Sequence, residues 1–264
     1  MKKPILKAAI IGHGFVGKAT DWGFNRDVEK FIIEPNYNTT IDNLIDFKPQ
    51  ICFLCVPTPM GDDGNQDASI ILKVVEEIKA LEINSMICIK STVIPENLLK
   101  VKSIDSNIVY NPEFLREKHA NLDFENSKMQ IFGGPRNISQ KISEYYLNHS
   151  RCRTTNHVFV DLISAALIKY SINTFLAAKV VYFNELYDLF KKHDLKDTWE
   201  TIISTVSLDE RIGSSHMDVP GHDGRKGFGG ACFPKDSLAL LKYAKTIGID
   251  LSVLETAVKK NNAI

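Results

Sequence analysis

The sequence predicts an α/β fold: a doubly wound parallel sheet over residues 1–160, then a mainly helical domain, 161–264, built on one long helix. Three observations predict it. Short apolar runs alternate with helical patterns through the first part of the chain, the order that builds a parallel sheet with helices on its faces. The first run breaks at a glycine turn that leads straight into a helical pattern, Gly12-His13-Gly14-Phe15-Val16-Gly17. From Leu162 to Phe190 there is no glycine or proline, and apolar residues lie nearly all round, which reads as a long buried helix.

Composition sets the outer limits. The chain has 264 residues, 44% hydrophobic and 24% charged, enough to bury a core in one large or two modest domains. Lys+Arg and Asp+Glu stand at 32 each, so no global basic field draws nucleic acid, and any anion site must come from local geometry. Lys2 and Lys3 precede an apolar run from Ile5, but that run meets Gly12 too soon for a secretory signal and reads as a first strand. The long apolar stretch 162–190 is interrupted by Lys169, Lys179, Glu185 and Asp188, which argues against a membrane span. Five cysteines in a chain of this size do not make a disulfide framework, so a reduced, cytosolic protein is expected.

Residues 5–11 form the first strand. The turn after them matches the dinucleotide fingerprint of Rossmann-like domains, in which glycines allow a tight turn and bring a pyrophosphate onto the unpaired N–H groups of a helix N-terminus. A second strand, 30–33, ends at Glu34, 22 residues beyond Gly12. An acid there takes the adenosine ribose hydroxyls and repels a 2′-phosphate, so the expected cofactor is NAD rather than NADP. Residues 51–56 make a buried strand stopped at Pro57-Thr58-Pro59. Within it Cys52 and Cys55 point to opposite faces and have no second pair, so packing rather than metal binding is their expected role. There follow a helix over 68–81, a strand over 86–90 running into Ser91-Thr92-Val93-Ile94-Pro95, and a strand over 107–110 running into Asn111-Pro112-Glu113-Phe114-Leu115-Arg116-Glu117. Polar groups thus recur beyond the carboxyl ends of successive strands, the edge at which open α/β sheets hold their ligands. Strands at 130–132 and 157–160 complete the sheet.

Capped by Asp161, the long helix takes in 161–192, about 48 Å at ~1.5 Å per residue. It is expected to join the two domains and to carry a homodimer contact. Lys169 and Asn173 share one face of it: either a snorkelling lysine and a solvent-facing amide, or a desolvated lysine and an amide aimed at a shared oxygen. Helical pattern returns over 195–208, from 236 to 244 and near 252–260, with a long glycine-rich loop before 236. There Gly227-Phe228-Gly229-Gly230-Ala231-Cys232-Phe233-Pro234-Lys235-Asp236 sets one thiol among glycines and charges. It is either a packed core cysteine or a nucleophile held as the thiolate.

Taken in order, Gly12-x-Gly14-x-x-Gly17, Val56-Pro57-Thr58-Pro59, Ser91-Thr92-Val93-x-Pro95, Asn111 through Glu117, Lys169-x-x-x-Asn173 and Gly227 through Asp236 resemble the motifs of the UDP-glucose/GDP-mannose dehydrogenase family. The resemblance covers essentially the whole chain. It implies NAD-dependent oxidation of the C6 primary alcohol of a nucleotide sugar to a carboxylate by two hydride transfers. UDP-glucose going to UDP-glucuronate is the expected reaction, with GDP-mannose and UDP-N-acetylmannosamine as alternative substrates. By position it implies Cys232 as the thiol of a thiohemiacetal and thioester, Lys169 and Asn173 as stabilisers of the oxyanion, Asp236 and Thr92 as holders of the water, and Glu117 as base of thioester hydrolysis. It implies cofactor contacts from Gly12, Gly14, Phe15, Val16, Gly17, Glu34, Val56, Pro57, Thr58, Ser91, Thr92, Glu117 and Lys235. Substrate contacts are implied for Glu113, Phe114, Leu115, Arg116, Lys169, Asn173, Phe228 and Gly229, and for Arg211 across a dimer interface. No metal is implied.

Three departures from the family stand out. Lys118 replaces the glycine that usually follows the Arg-Glu pair, the loop 214–226 is longer than in many relatives, and the sequence ends before the second α/β domain that supplies part of the nucleotide site. A catalytically silent NAD-binding module is one rival reading. A β-hydroxyacid dehydrogenase with a catalytic lysine on its long helix is another, and that class needs no thiol.

Overall fold

Each apolar run of the first part becomes a strand. The structure, a computed structural model, describes residues 5–61 and 64–264, so the lysines at 2 and 3 lie outside the described residues. β1 (Leu6–Ile11) leads into α1 (Phe15–Gly23), β2 (Val28–Ile33), α2 (Leu44–Phe47), β3 (Ile51–Leu54), α3 (Ser69–Ala80), β4 (Met86–Ile89), α4 (Pro95–Ile104) and β5 (Val109–Tyr110). A 3-10 turn, Glu117–His119, precedes α5 (Ala120–Glu125), β6 (Gln130–Gly133), α6 (Arg136–His149) and β7 (His157–Val160). Together they form a 7-stranded sheet in the order β2-β1-β3-β4-β5-β6-β7. The winding reverses between β1 and β3, which opens a crevice at their carboxyl ends. Both faces of the sheet are covered, so the central strands are apolar throughout rather than alternating. Alternation along β3 sends Cys52 into the cluster of Ile11, Leu54 and Ile89, and Cys55 into that of Ile10, Phe53 and Phe24.

The far side of the sheet departs from the expected parallel order. β5 pairs with β6 antiparallel through Tyr110 and Gly133, while β6 and β7 are parallel, so the last two strands run against the first five. A parallel pairing needs a crossover that returns the chain to the amino edge, usually a full-length helix. The connection from β5 to β6 holds only the 3-residue 3-10 turn and the 6-residue α5, and the chain enters β6 from the edge at which it left β5. Phe124 of α5 packs so tightly on α1 that a Cβ added at Gly23 would lie 2.2 Å from its ring.

Beyond β7 the fold is helical: α7 (Leu162–Phe190), α8 (Trp199–Val206), α9 (Phe233–Thr246) and α10 (Ser252–Asn261). α7 is 29 residues long, about 43 Å at ~1.5 Å per residue. α9 begins at Phe233 rather than at the expected 236, because Pro234 occupies its first turn, where a missing N–H costs nothing and a fixed φ favours the helix. The chain divides into two compact units, one made of the chain up to Gly61 with Gln66–Lys169 and the other containing Tyr170–Ile264. The division falls within α7, whereas the sequence reading puts it ahead of the helix at 160. In the second unit Ala177, Val181, Phe228 and Ala257 form one apolar cluster, and Phe183, Trp199, Met217 and Val219 another. No helix among the described residues is long and apolar enough to cross a membrane.

A buried polar network ties the carboxyl ends of β4 and β5. Lys90, only 2% exposed, donates to Asn111 Oδ1 at 2.7 Å and to the Tyr146 hydroxyl at 2.9 Å. Tyr146 donates to the same Asn111 oxygen at 2.6 Å, and Asn111 Nδ2 donates to the Ile131 carbonyl at 2.7 Å. Satisfied in this way, a buried cation fixes geometry; stranded, it is costly. Asn111→Ala leaves the ammonium only the Tyr146 hydroxyl and the carbonyl of residue 111 and is expected to lower the unfolding free energy by about 2 kcal/mol, whereas Lys90→Met removes the charge itself and is expected to cost about 1 kcal/mol. Urea denaturation of both variants checks this, and equal losses would contradict it.

Candidate functional site

The glycine turn after β1 is built by close approach. Gly12 has φ +87°, and a Cβ on it would stand 2.6 Å from the Cys55 carbonyl oxygen at the end of β3. A Cβ on Gly17 would stand 2.1 Å from the Gly12 oxygen, so the turn and the first turn of α1 close only on glycine. Gly14, at the N-cap of α1, is different: nothing lies within 4 Å of where its Cβ would be. That open side, with the unpaired N–H groups of the α1 first turn behind it, fits a pyrophosphate. At the end of β2 the Glu34 carboxylate accepts the His13 N–H at 2.9 Å, which fixes it beside the turn where ribose hydroxyls would lie. His13 in turn meets the Tyr37 hydroxyl at 2.9 Å and Asp21 at 3.3 Å.

Along the same edge the loops after β3 and β4 are hydrogen-bonded to each other. Ser91 Oγ donates to the Val56 carbonyl at 2.6 Å, and Thr58 Oγ1 donates to the Thr92 carbonyl at 2.7 Å. Val56, Thr58, Ser91 and Thr92 are therefore brought together, with Pro57 exposed between them. Gln66, which sequence reasoning passed over, braces the group by donating to the Thr92 carbonyl at 3.0 Å and accepting the Ile94 N–H at 2.9 Å.

After β5, Glu113 is buried and its carboxylate accepts the Leu115 N–H at 2.6 Å. Lys169, on α7 and 2% exposed, donates to the Glu113 carbonyl and lies 3.3 Å from its carboxylate, with its ammonium 4.9 Å from the centre of the Phe114 ring. The snorkelling alternative for Lys169 is thereby excluded. Arg116 is exposed and grips Asp123 of α5 through Nε at 3.0 Å and Nη2 at 2.7 Å. Those bonds raise the Arg116 guanidinium above its ordinary value. Burial pushes the Asp123 carboxyl up, but its bonds to Arg116 outweigh this and hold it below the usual carboxylate range. Glu117 sits exposed on the 3-10 turn.

In the second unit Cys232 stands half-buried at the N-cap of α9, the helix end that favours negative charge. One turn on, Asp236 is 1% exposed and both its oxygens are taken: Asn173 Nδ2 donates at 2.7 Å and Lys235 Nζ at 2.6 Å. Lys169 takes the backbone carbonyl and carboxylate of Glu113, and Asn173 takes Asp236, so each buried polar group is satisfied within its own unit. Arg211 is exposed and forks onto Asp209 at 2.9 and 2.5 Å, and the loop behind it is anchored by Lys179, which donates to the Ile212 and Gly213 carbonyls at 3.0 and 3.1 Å. Burial holds the Lys179 ammonium below its ordinary value. Asn184 and Asn261, which no sequence pattern singled out, bind the backbone of Gly227 and Phe228.

Among the described residues no group of three or more His, Cys, Asp or Glu side chains is placed to hold a metal ion. A cavity of about 620 Å³ in the first unit, at the amino ends of α6 and α7, is lined by Lys102, Arg136, Phe159 and Asp161 among others and takes in none of the site residues above.

Residues 23–148 match the NAD binding domain of the UDP-glucose/GDP-mannose dehydrogenase family, and residues 163–263 match its central domain. The chain is 35% identical over 239 residues to a UDP-glucose 6-dehydrogenase of Rickettsia bellii, covering 85% of this chain and 51% of that protein. It spans about half the length of the curated relatives it matches. A UDP-glucose dehydrogenase from Pyrobaculum islandicum superposes with a TM-score of 0.82 at 22% identity, over 99% of this chain and 69% of that one. A Mycobacterium tuberculosis 3-hydroxyisobutyrate dehydrogenase superposes with a TM-score of 0.70 at 13% identity, over 97% of this chain and 92% of that one. At these identities both structures speak to fold alone, and the fold does not choose between a thiol-dependent and a thiol-free oxidation.

Burial separates the cysteines chemically. It pushes the thiols of Cys52 and Cys88 up to about 12 and that of Cys55 to about 11. Their thiolates therefore form only in strong alkali, since the raised value keeps the protonated form dominant at every lower pH. Iodoacetamide at pH ~8 is expected to label Cys232 while Cys52, Cys55 and Cys88 stay unmodified in the native protein. Peptide mass spectrometry reads the order of labelling, and early labelling of the strand cysteines would refute it.

Proposed function

The chain belongs to the UDP-glucose/GDP-mannose dehydrogenase family, and from that premise we propose that it oxidises the C6 primary alcohol of a nucleotide sugar to a carboxylate, with UDP-glucose as substrate and NAD as oxidant. The observation that carries the reading is Cys232 at the start of α9, one turn before an Asp236 carboxylate locked by Asn173 and Lys235. Gly12, Gly14, Gly17 and Glu34 hold the cofactor, with Phe15, Val16, Val56, Pro57, Thr58, Ser91, Thr92, Glu117 and Lys235 completing its surroundings. When bound, NAD supplies the hydride acceptor for both oxidations.

The first oxidation takes a hydride from C6 and a proton from its hydroxyl, leaving an aldehyde. Cys232 Sγ then bonds to C6 and its proton passes to the former carbonyl oxygen, giving a thiohemiacetal. Loss of a second hydride from C6 and of that oxygen's proton leaves a thioester. Water adds to it, the S–C bond breaks, and the carboxylate leaves as the thiol is restored. The thiol matters because it returns the aldehyde carbon to a tetrahedral form from which a hydride can depart. Lys169, paired with Glu113, presents a cation to the developing alkoxide, and Asn173 keeps one amide N–H beyond the one given to Asp236. Asp236 and Thr92 orient the water, and Glu117 takes its proton. Glu113, Phe114, Leu115, Phe228 and Gly229 contact the sugar nucleotide, with Arg116 oriented for it by Asp123.

Two molecules of NADH per sugar are expected from the wild-type protein, and Cys232→Ala is expected to lose net carboxylate formation by at least about 1000-fold. A panel of nucleotide sugars with NAD, followed at 340 nm, checks both. No NADH with any sugar in a folded preparation would overturn the proposal in favour of a silent NAD-binding module. Undiminished turnover after alkylation of Cys232 would point to a β-hydroxyacid dehydrogenase. A cytosolic setting, which keeps a catalytic thiol reduced, belongs to the same reading.

The homodimer belongs to it too. Phe175, Tyr182 and Leu189 are 64%, 58% and 57% exposed and recur every seventh residue along α7, a stripe that a second copy of the helix covers well. The double variant Phe175→Glu, Tyr182→Glu is expected to elute as a monomer with light-scattering detection, against a dimer for the wild type. Equal masses for the two proteins would count against α7 as the contact.

A further inference from the structure

Asn261, the last residue of α10, grips the glycine stretch ahead of Cys232. Its Oδ1 accepts the Phe228 N–H at 2.6 Å and its Nδ2 donates to the Phe228 carbonyl at 3.0 Å, so one side-chain amide satisfies both backbone groups of one residue. Asn184, 2% exposed on α7, accepts the Gly227 N–H at 3.1 Å and is itself held by donating to the Val180 carbonyl at 2.8 Å. Gly227 has φ +73°, and a Cβ there would stand 2.6 Å from Asn261 Oδ1, so the clamp itself demands glycine.

Phe228 is also fixed by its side chain. It packs with Ala177, Val181 and Ala257, and edge-on to Phe233 with ring centres 6.3 Å apart. The chain from Gly229 to Cys232 is therefore an arch between two set points, Phe228 and the first residue of α9. Gly229, Gly230 and Ala231 are exposed, and Gly230 is in the left-handed region with open space around it. Two adjacent glycines give such an arch wide conformational freedom, so the placement of its ends governs where the sulfur stands.

We propose that Asn261 is a positioning residue for Cys232: by holding Phe228 through both backbone groups it sets the presentation of the thiol and passes a displacement of the end of α10 on to it. The proposal rests on the reading of Cys232 as the nucleophile. A shift of a reacting atom by ~1 Å is enough to cost about 100-fold in rate.

The test pairs a readout that needs turnover with one that does not. In Asn261→Ala, kcat for NADH formation from UDP-glucose is expected to fall by about tenfold or more while KM for NAD stays within about twofold. The iodoacetamide labelling rate of Cys232 is expected to change by at least about threefold in the same variant, with Cys52, Cys55 and Cys88 still unlabelled. Asn261→Asp keeps the acceptor for the Phe228 N–H and loses the donor, and is expected to fall between Ala and wild type. Lys260→Ala, which removes only an exposed pair with Glu185, is expected to match wild type. Wild-type kcat and labelling in Asn261→Ala would overturn the proposal, as would labelling of the strand cysteines in step with Cys232, the mark of a generally loosened fold. If Asn261→Ala does not fold, the Asp variant carries the same comparison. If the wild type oxidises no nucleotide sugar, the functional reading fails, and the labelling rates still decide whether Asn261 sets the thiol.

Discussion

A buried ammonium must meet oxygen, and that constraint sets the loops of this protein. Lys90 draws Asn111 to the end of β4, and Lys169 draws the backbone and carboxylate of Glu113 to α7. In the second unit Lys179 holds the Ile212 and Gly213 carbonyls. Each lysine leaves a regular element and ends on an irregular one, so each converts the rigidity of a strand or helix into the position of a loop. The apolar clusters supply the larger share of stability, but they do not distinguish one loop path from another. A buried cation does, because the alternative paths leave it unsatisfied.

The legible part of the fold is the part with a period. Strands buried on both faces show as unbroken apolar runs, and α7 shows as a long stretch free of glycine and proline, so β1, β3, β4 and α7 emerge within a few residues of their observed ends. The turn at Gly12 was legible for another reason: close approach to Cys55 and to the first turn of α1 admits no side chain. Direction is a different matter. Nothing in Gln130–Gly133 records that β6 runs against β5, because direction belongs to the connection ahead of it, which holds only a 3-10 turn and the short α5 and no full crossover helix.

The site divides the same way. Candidate residues at Cys232, Lys169 and Asp236 stand out in the sequence by type and neighbours alone. Their partners were not, because a pairing such as Arg116 with Asp123 or Phe228 with Asn261 leaves no periodic trace and becomes visible only when the chain is folded. Asn184 lay unnoticed in an apolar helix although it is as buried as Lys169, and a buried amide on an apolar face is the signal that could have found it.

Four of the cysteines show that location, not residue type, decides what a thiol can do. Cys52, Cys55 and Cys88 are strand residues in apolar clusters, and burial keeps them protonated. Cys232 is set apart by standing where glycines give way to a helix, at the end of the helix dipole that favours an anion. That end also carries a hazard, since a carboxylate one turn along would oppose a second negative charge. Asp236 is that carboxylate, and the structure compensates it: Lys235 lies 2.6 Å from one oxygen and Asn173 2.7 Å from the other. With its charge met locally, Asp236 sits one turn from Cys232 without leaving an unpaired carboxylate at that end. The lysine and the asparagine therefore do for the aspartate what a helix terminus does for an anion placed at its N-cap.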